Sequence, residues 1–222
     1  SSAGGLTRSI MLTRPSAGAT TRLGTVADGS TVTDFDDEEQ RRGMTISSAL
    51  CHLRWRDTDI NLIDAPGEAS FLADAFTAIR ASDCALVVVN AQMGVEVTTQ
   101  KVWDRCEEAG VARAIVVNML DRDRTDFDQT LAQLREMSPG CVAVEIPLGH
   151  EGDFRGVIDL VHMTATTYAG SPTGTEGEIP ADHLAAAQAA RERLMDIVAE
   201  ADDVLIEKYL EGQEISTQEL IG

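Results

Sequence analysis

Ile60-Asn61-Leu62-Ile63-Asp64-Ala65-Pro66-Gly67-Glu68-Ala69-Ser70 runs from an aliphatic strand straight into a turn. A carboxylate at such a strand end can hold Mg²⁺ through a water. A glycine three residues later lets a backbone N–H come close to a terminal phosphate. Asp-x-x-Gly turns also end strands for purely structural reasons, so the stretch alone leaves both readings open. Its surroundings decide. Upstream, Leu50–Arg56 is a second short strand, separated from Ile60–Ile63 by Asp57-Thr58-Asp59, the pattern of a hairpin. Downstream, Cys84–Ala91 (CALVVVNA) and Ala112–Asn118 (ARAIVVN) are β-branched runs of the doubly buried, parallel kind. Val142–Ile146 is a fifth candidate strand. Phe71–Ala81, Thr98–Ala109 and Asp126–Arg135 carry apolar residues at helical spacing, for example Val102, Cys106 and Ala109. Strand–helix–strand alternation of this length predicts right-handed crossovers and a three-layer α/β sandwich, with ligands taken where the strands end.

After Gly149 the character changes. Gly156–Leu160 and Met163–Tyr168 predict a small sheet, and Ala169–Glu178 a Gly/Ser/Thr/Pro loop. A long helix over roughly 181–201 and a shorter one over 204–210, closed by Gly212, follow. This tail carries far more carboxylates than cations and supplies much of the formal charge of −19. Such a charge argues against a broad basic face that wraps DNA or RNA. At 222 residues and 43% hydrophobic, the chain can bury a full core. No apolar run reaches the roughly 18–20 residues of a membrane span. The four cysteines, Cys51, Cys84, Cys106 and Cys141, form no C-x-x-C pair and read as reduced thiols of a cytoplasmic protein. Ser1 is not an initiator methionine, so the chain is expected to begin inside a longer product.

Two further stretches carry chemistry. Val116-Val117-Asn118-Met119-Leu120-Asp121 closes another strand. An aspartate there can accept hydrogen bonds from N1 and the exocyclic amino group of guanine, and adenine would leave it unpaired. Asn118 would tie this loop to a neighbouring one. Arg41-Arg42-Gly43-Met44-Thr45-Ile46 follows the polar run Thr33–Gln40. A threonine on a mobile loop can hold Mg²⁺ and release it when a γ-phosphate leaves, although alone this stretch reads as a solvated charged loop. His52, His150, His162 and His183 share no metal-like spacing and are expected to be structural. Trp103–Cys106 is expected in helix core, and Met93 in packing.

Together, in this order and spacing, the three motifs resemble those of the translational GTPases. Arg42–Ile46 resembles the first switch, Asp64–Gly67 the second, and Asn118–Asp121 with Arg122–Phe127 the guanine box. Gly94–Val97, Ile146–Gly149 and Gly156–Leu160 look like elongation factor G and its bacterial paralogues. The resemblance implies a P-loop NTPase-like three-layer core over residues 1–149, then the inserted α+β subdomain of that factor over 150–222. It implies GTP or GDP with Mg²⁺. Thr45 and Asp64 would serve the metal, Gly67 the γ-phosphate, and Asn118, Met119 and Asp121 the guanine. Gly5 and Thr7 would belong to the phosphate loop, with Thr7 a further Mg²⁺ ligand. The parent would be a monomeric, cytoplasmic factor of protein biosynthesis that meets the ribosome, its large-subunit RNA and its stalk proteins.

Three residues depart from that pattern. The loop G-x-x-x-x-G-K-[ST] cradles phosphates with backbone amides and a lysine, whereas the nearest stretch, Ser1–Thr7, puts Leu6 in the lysine's place. Met119 replaces a lysine whose stem packs on the base, a task a polarisable methionine shares. Glu68 replaces the histidine that orients the attacking water. Glutamate can accept a proton, yet it brings negative charge toward the γ-phosphate, and loss of a proton-handling group costs on the order of 10²–10⁴ in rate. Glu68 is thus the candidate catalytic residue, and GTP hydrolysis is expected to be slow. Two other functions fit the same residues: a ribosomal-protection GTPase that displaces an antibiotic, and a nucleotide-silent module whose acidic insert docks a basic protein.

Overall fold

Alternation builds the first ribbon. In β1 (Ala49–Trp55) the side chains of Ala49, Cys51 and Leu53 are buried while Leu50, His52 and Arg54 face out, the period of two that a half-buried strand requires. It pairs antiparallel with β2 (Thr58–Asp64), from Trp55 opposite Thr58 to Ala49 opposite Asp64. Trp55, Ile60 and Leu62 pack on Cys51 and Leu53. The expected hairpin is thus present, β1 beginning one residue before the expected Leu50 and ending at Trp55, and β2 longer by two residues at its start and one at its end. The structure is a computed structural model that describes residues 30–31, 33–55, 57–168, 174–211, 213 and 215–221.

A helix precedes the ribbon where the sequence reads as a polar loop. In α1 (Asp37–Arg42), Asp36 is the N-cap and forms a capping box with Glu39. Gly43, at φ 63°, ends the helix in the left-handed conformation that glycine adopts without steric cost. After β2, a single 3₁₀ turn at Ala69–Phe71 leads into α2 (Leu72–Arg80), which buries Leu72, Ala75 and Ile79 along one stripe. Strands β3 (Cys84–Asn90) and β4 (Ala112–Asn118) pair in parallel across α3 (Val97–Ala109), the predicted crossover. Helix α3 packs on both strands and on α2, and it buries Thr99, Trp103 and Cys106. Trp103 and Cys106 are thus helix core, as expected. The Arg113 guanidinium lies 4.2 Å from the Trp103 ring centre and donates to Trp103 O at 2.9 Å and Glu107 Oε2 at 2.8 Å, riveting β4 to the helix. The two faces of β3 are unequally covered among the described residues: Val87 and Val89 are buried, whereas Val88 on the other face is half-buried and Leu86 52% exposed. The reading of β3 as doubly buried is to that extent corrected.

The chain divides into two compact units, one ending at Met119 and the other beginning at Leu120. The second opens with the loop to α4 (Phe127–Met137), capped by Asp126, whose carboxylate accepts the Gln129 N–H at 2.9 Å. A four-stranded antiparallel sheet follows in the order β5 (Glu145–Leu148), β6 (Gly156–Asp159), β7 (Thr164–Thr167), β8 (Thr175–Gly177). The fifth strand thus starts three residues later than predicted. Val142 and Ala143 pack against the core without joining the ladder, and Pro147, which lacks a donor, sits on the edge strand where that costs nothing. Strand β8 falls inside the predicted loop, where Gly174 brings the backbone so close that a Cβ would strike the Thr166 side chain.

Leu148, Ile158 and Ala165 from this sheet and Leu160 just after β6 meet Ala187 and Leu194 of α5 (Ala181–Ala201), all at most 3% exposed. Each leucine or isoleucine buried to this extent contributes about 1.5–3 kcal/mol. Arg191, one turn from both helix residues, donates to the carbonyls of Leu160 and Val161 and so closes the turn between β6 and β7. Helices α6 (Asp203–Leu210) and α7 (Thr217–Ile221) follow. Ser216 caps α7 with Glu219 in a capping box, and Glu219 also accepts from Lys208 at 2.7 and 2.9 Å. Among the described residues no helix is long and apolar enough to cross a membrane.

Candidate functional site

In the first unit, Asp64 ends β2 at 2% exposure. It lies close enough to Cys51 to raise that thiol further above its usual range, where burial has already pushed it. Pro66 behind it is buried, and Gly67 and Glu68 are exposed. Glu68 opens the 3₁₀ turn through its main chain, its carbonyl accepting the Phe71 N–H at 2.9 Å. Its carboxylate makes no cap hydrogen bond. Glu68 therefore extends from the strand-end turn into solvent.

Thr45 is held in place by two buried carboxylates. Its hydroxyl, on a residue 7% exposed, donates to Asp34 Oδ1 at 3.0 Å, while Thr31 Oγ1 donates to Asp34 Oδ2 at 3.3 Å. Glu39, 1% exposed, accepts the N–H groups of Ile46 at 2.9 Å and Ser47 at 3.0 Å through Oε1, and that of Asp36 at 3.3 Å through Oε2. The backbone on both sides of α1 is thereby tied to the helix. Neither carboxylate was assigned a part by sequence reasoning. The Asp36-x-x-Glu39 capping pattern was the available signal for the helix, but nothing local shows that Glu39 reaches Ile46 and Ser47.

Ala49 faces Asp64 across the ribbon and follows Thr45 by four residues. Four residues span at most about 14 Å, so Thr45 and Asp64 are brought to the same end of the β1–β2 ribbon. The donor set suits a hard cation: a buried carboxylate, and a hydroxyl whose proton is committed to Asp34, leaving its lone pairs to a metal. Among the described residues no three His, Cys, Asp or Glu side chains gather in metal-holding geometry. A cation here would depend on hydroxyl, phosphate and water oxygens.

A second strand end lies in the same unit. Asn90 and Asn118 are register partners, and the Ala91 N–H donates to Asn118 O at 2.9 Å. Asn90 closes the following turn, its Oδ1 accepting from Gln92 N–H at 2.8 Å and its carbonyl from Met93 and Gly94. Asn118 thus ties its strand end to the neighbouring loop through its main chain. Met119 has φ 64°, left-handed although not glycine. Met93 is 61% exposed, against the expectation that it packs. His52 is likewise on the outer face, its Nδ1 3.1 Å from Asn61 Oδ1.

Asp121 belongs to the second unit, exposed in the loop that leads to α4. Thr125 closes that loop from inside, its hydroxyl directed at Leu120 O (3.1 Å) and Arg122 O (2.9 Å). Gly5, Leu6 and Thr7 lie outside the described residues.

The family model of the elongation factor Tu GTP binding domain matches residues 11–218. The chain belongs to that family. A crystal structure of a Thermus thermophilus protein aligns over 99% of this chain at 32% identity and a TM-score of 0.88. The chain spans 33% of that protein. The fold is therefore that of a P-loop GTPase domain, and the family is one of guanine-nucleotide binders from translation factors.

Proposed function

We propose that this chain is the GTP-binding domain of an elongation factor G-like translation factor that acts on the ribosome. The observation that carries the proposal is that buried Thr45 and buried Asp64 belong to the same end of the β1–β2 ribbon, Thr45 four residues before the Ala49 that pairs with Asp64. It supports a magnesium-dependent nucleotide site, for which the family supplies the guanine nucleotide. Residues 1–149 form the nucleotide core in this reading and 150–222 the insert, with contacts to ribosomal RNA and stalk proteins made by the whole factor.

Each residue has a task. Thr45 and Asp64 hold Mg²⁺, which screens the phosphate charge, and Gly67 offers its backbone N–H to the γ-phosphate. Asn118 secures the base loop, Met119 packs on the base face, and Asp121 accepts the two guanine donors. If the γ-phosphate departs, the Thr45 loop loses one partner but keeps Asp34 and Glu39, so it relaxes from a partly ordered position. Glu68 is the ionisable group nearest in sequence to the γ-phosphate contact and is a poor catalyst, because repulsion between its carboxylate and the phosphate oxygens opposes bringing it and an attacking water into place. Hydrolysis is slow as a result.

Titration with a fluorescent GDP, with and without Mg²⁺, tests the reading. Saturation strengthened by Mg²⁺ and reversed by GTP but not ATP is the expected result. No saturation at tens of micromolar would overturn it in favour of a nucleotide-silent module.

A further inference from the structure

Arg124 and Glu151 are both left-handed, at φ 62° and 48°, and neither is glycine. Such residues are uncommon and persist where surrounding structure over-determines them. Twenty-seven positions apart in sequence, these two are joined: the Arg124 N–H donates to Glu151 Oε1 at 2.6 Å. A bond from an amide to an ionised carboxylate is shorter and stronger than one between neutral groups.

Each partner is set from its own side. Glu151 rides on the tight turn between β5 and β6. Gly149, at φ 90°, begins that turn, and a Cβ there would collide with the Asp153 carbonyl. The turn is closed by Asp153 N–H to His150 O at 2.9 Å, Phe154 N–H to Glu151 O at 3.0 Å and Arg155 N–H to Leu148 O at 3.0 Å. Leu148, with no exposed surface, anchors it in the core of the second unit. Arg124 lies in the Asp121 loop, three residues from Asp121. Thr125 ties that loop internally to Leu120 and Arg122, but those bonds stay within the loop and cannot aim it. The Glu151 carboxylate gives it a bond to a separate element.

We infer that Glu151 is a positioning residue for base recognition: by holding the Arg124 amide, it fixes the direction in which Asp121 meets a purine. The inference rests on the proposed guanine site and adds to it a residue that touches no nucleotide. Correct aim matters because a carboxylate out of line with a donor loses that hydrogen bond, whose strength falls steeply with angle. A carboxylate that must accept two donors at once is the contact most sensitive to such a shift.

The test uses the intact chain and the variants E151A and E151Q. Arg124 amide hydrogen exchange, followed by NMR without nucleotide, reads the clasp. Affinities for GDP and for inosine diphosphate, which lacks the exocyclic amino group, read the aim. In E151A the Arg124 amide is expected to exchange at least about tenfold faster, and GDP affinity to fall about tenfold, the ratio equivalent to about 1.4 kcal/mol. Inosine diphosphate affinity should fall less, so that selectivity narrows. E151Q, which keeps an oxygen acceptor, should restore much of both. Unchanged Arg124 exchange in E151A overturns the clasp. Equal losses for the two nucleotides overturn the positioning role and leave a purely structural one. Wild-type protein that binds neither nucleotide overturns the guanine reading, and with it the positioning role, whatever the exchange data show.

Discussion

Replacing Glu39 with alanine is the sharpest test of what holds the Thr45 loop. The side chain is 1% exposed and accepts three backbone N–H groups, two of them at 2.9 and 3.0 Å and the third, from Asp36, longer at 3.3 Å. Truncation leaves the Ile46 and Ser47 amides without their acceptor. Each buried donor stranded in this way costs about 1–3 kcal/mol. Both amides are only partly buried, so water recovers some of that, and about 2–4 kcal/mol in total is expected. E39Q keeps one oxygen but turns an NH₂ toward the Asp36 N–H, so about 1–2 kcal/mol is expected. Because the loop can open without unfolding the whole unit, amide exchange at Ile46 and Ser47 is the proper assay, with urea unfolding as the global control. In E39A their protection should fall about 30- to 700-fold, the range that 2–4 kcal/mol implies. Protection unchanged in E39A, or lower in E39Q than in E39A, would refute the argument that this carboxylate holds the loop.

Other perturbations follow from the same geometry. R113A removes the ring contact on Trp103 and two hydrogen bonds from a partly buried site, so a loss of about 1–3 kcal/mol is expected, and R113K should recover little because it lacks the fork. Thermal melts followed by tryptophan fluorescence decide this. Glu219 is held at about 2 by its bonds to Lys208 first and then to Ser216, below the ordinary 4.5. A depressed carboxylate stabilises the fold above the unfolded value and loses that contribution as pH falls through the folded one. The packing of α7 should therefore persist at pH 5 and loosen between about 4.5 and 2, as side-chain NMR of Glu219 will report, and E219Q should abolish that titration. G149A places a side chain at φ 90° against the Asp153 carbonyl, and an unfolding free energy lower by about 2 kcal/mol or more is expected by urea titration.

Much of the architecture was legible because its signals are local. The strand expected over Leu50–Arg56, the β-branched runs at Cys84–Ala91 and Ala112–Asn118, and the helix at 181–201 all appear within a residue or two of where their patterns place them. The misses have non-local causes. Val142–Ala143 is as apolar as a strand, yet the β6 ladder takes up the chain only from Glu145. Strand β8 is three residues whose pairing depends on β7 and on the close approach of Gly174. At the site, Asp64, Thr45, Asn118 and Asp121 could be proposed because each follows a strand or completes a short motif. Asp34, Glu39 and Glu151 could not, because each acts on a residue 7 to 27 positions away through a bond that only the fold creates.

The guanine assignment of Asp121 is tested most directly by D121N. In the proposed site guanine would offer two donors to that carboxylate, whereas xanthine keeps N1–H and carries an oxygen in place of the amino group. An asparagine amide, with one acceptor and one donor, therefore matches xanthine and mismatches guanine. Competition against a fluorescent nucleotide should show wild type preferring GDP, and D121N losing GDP affinity by about 10²-fold or more while gaining xanthosine diphosphate. A D121N protein that keeps the wild-type order of the two nucleotides would contradict the account.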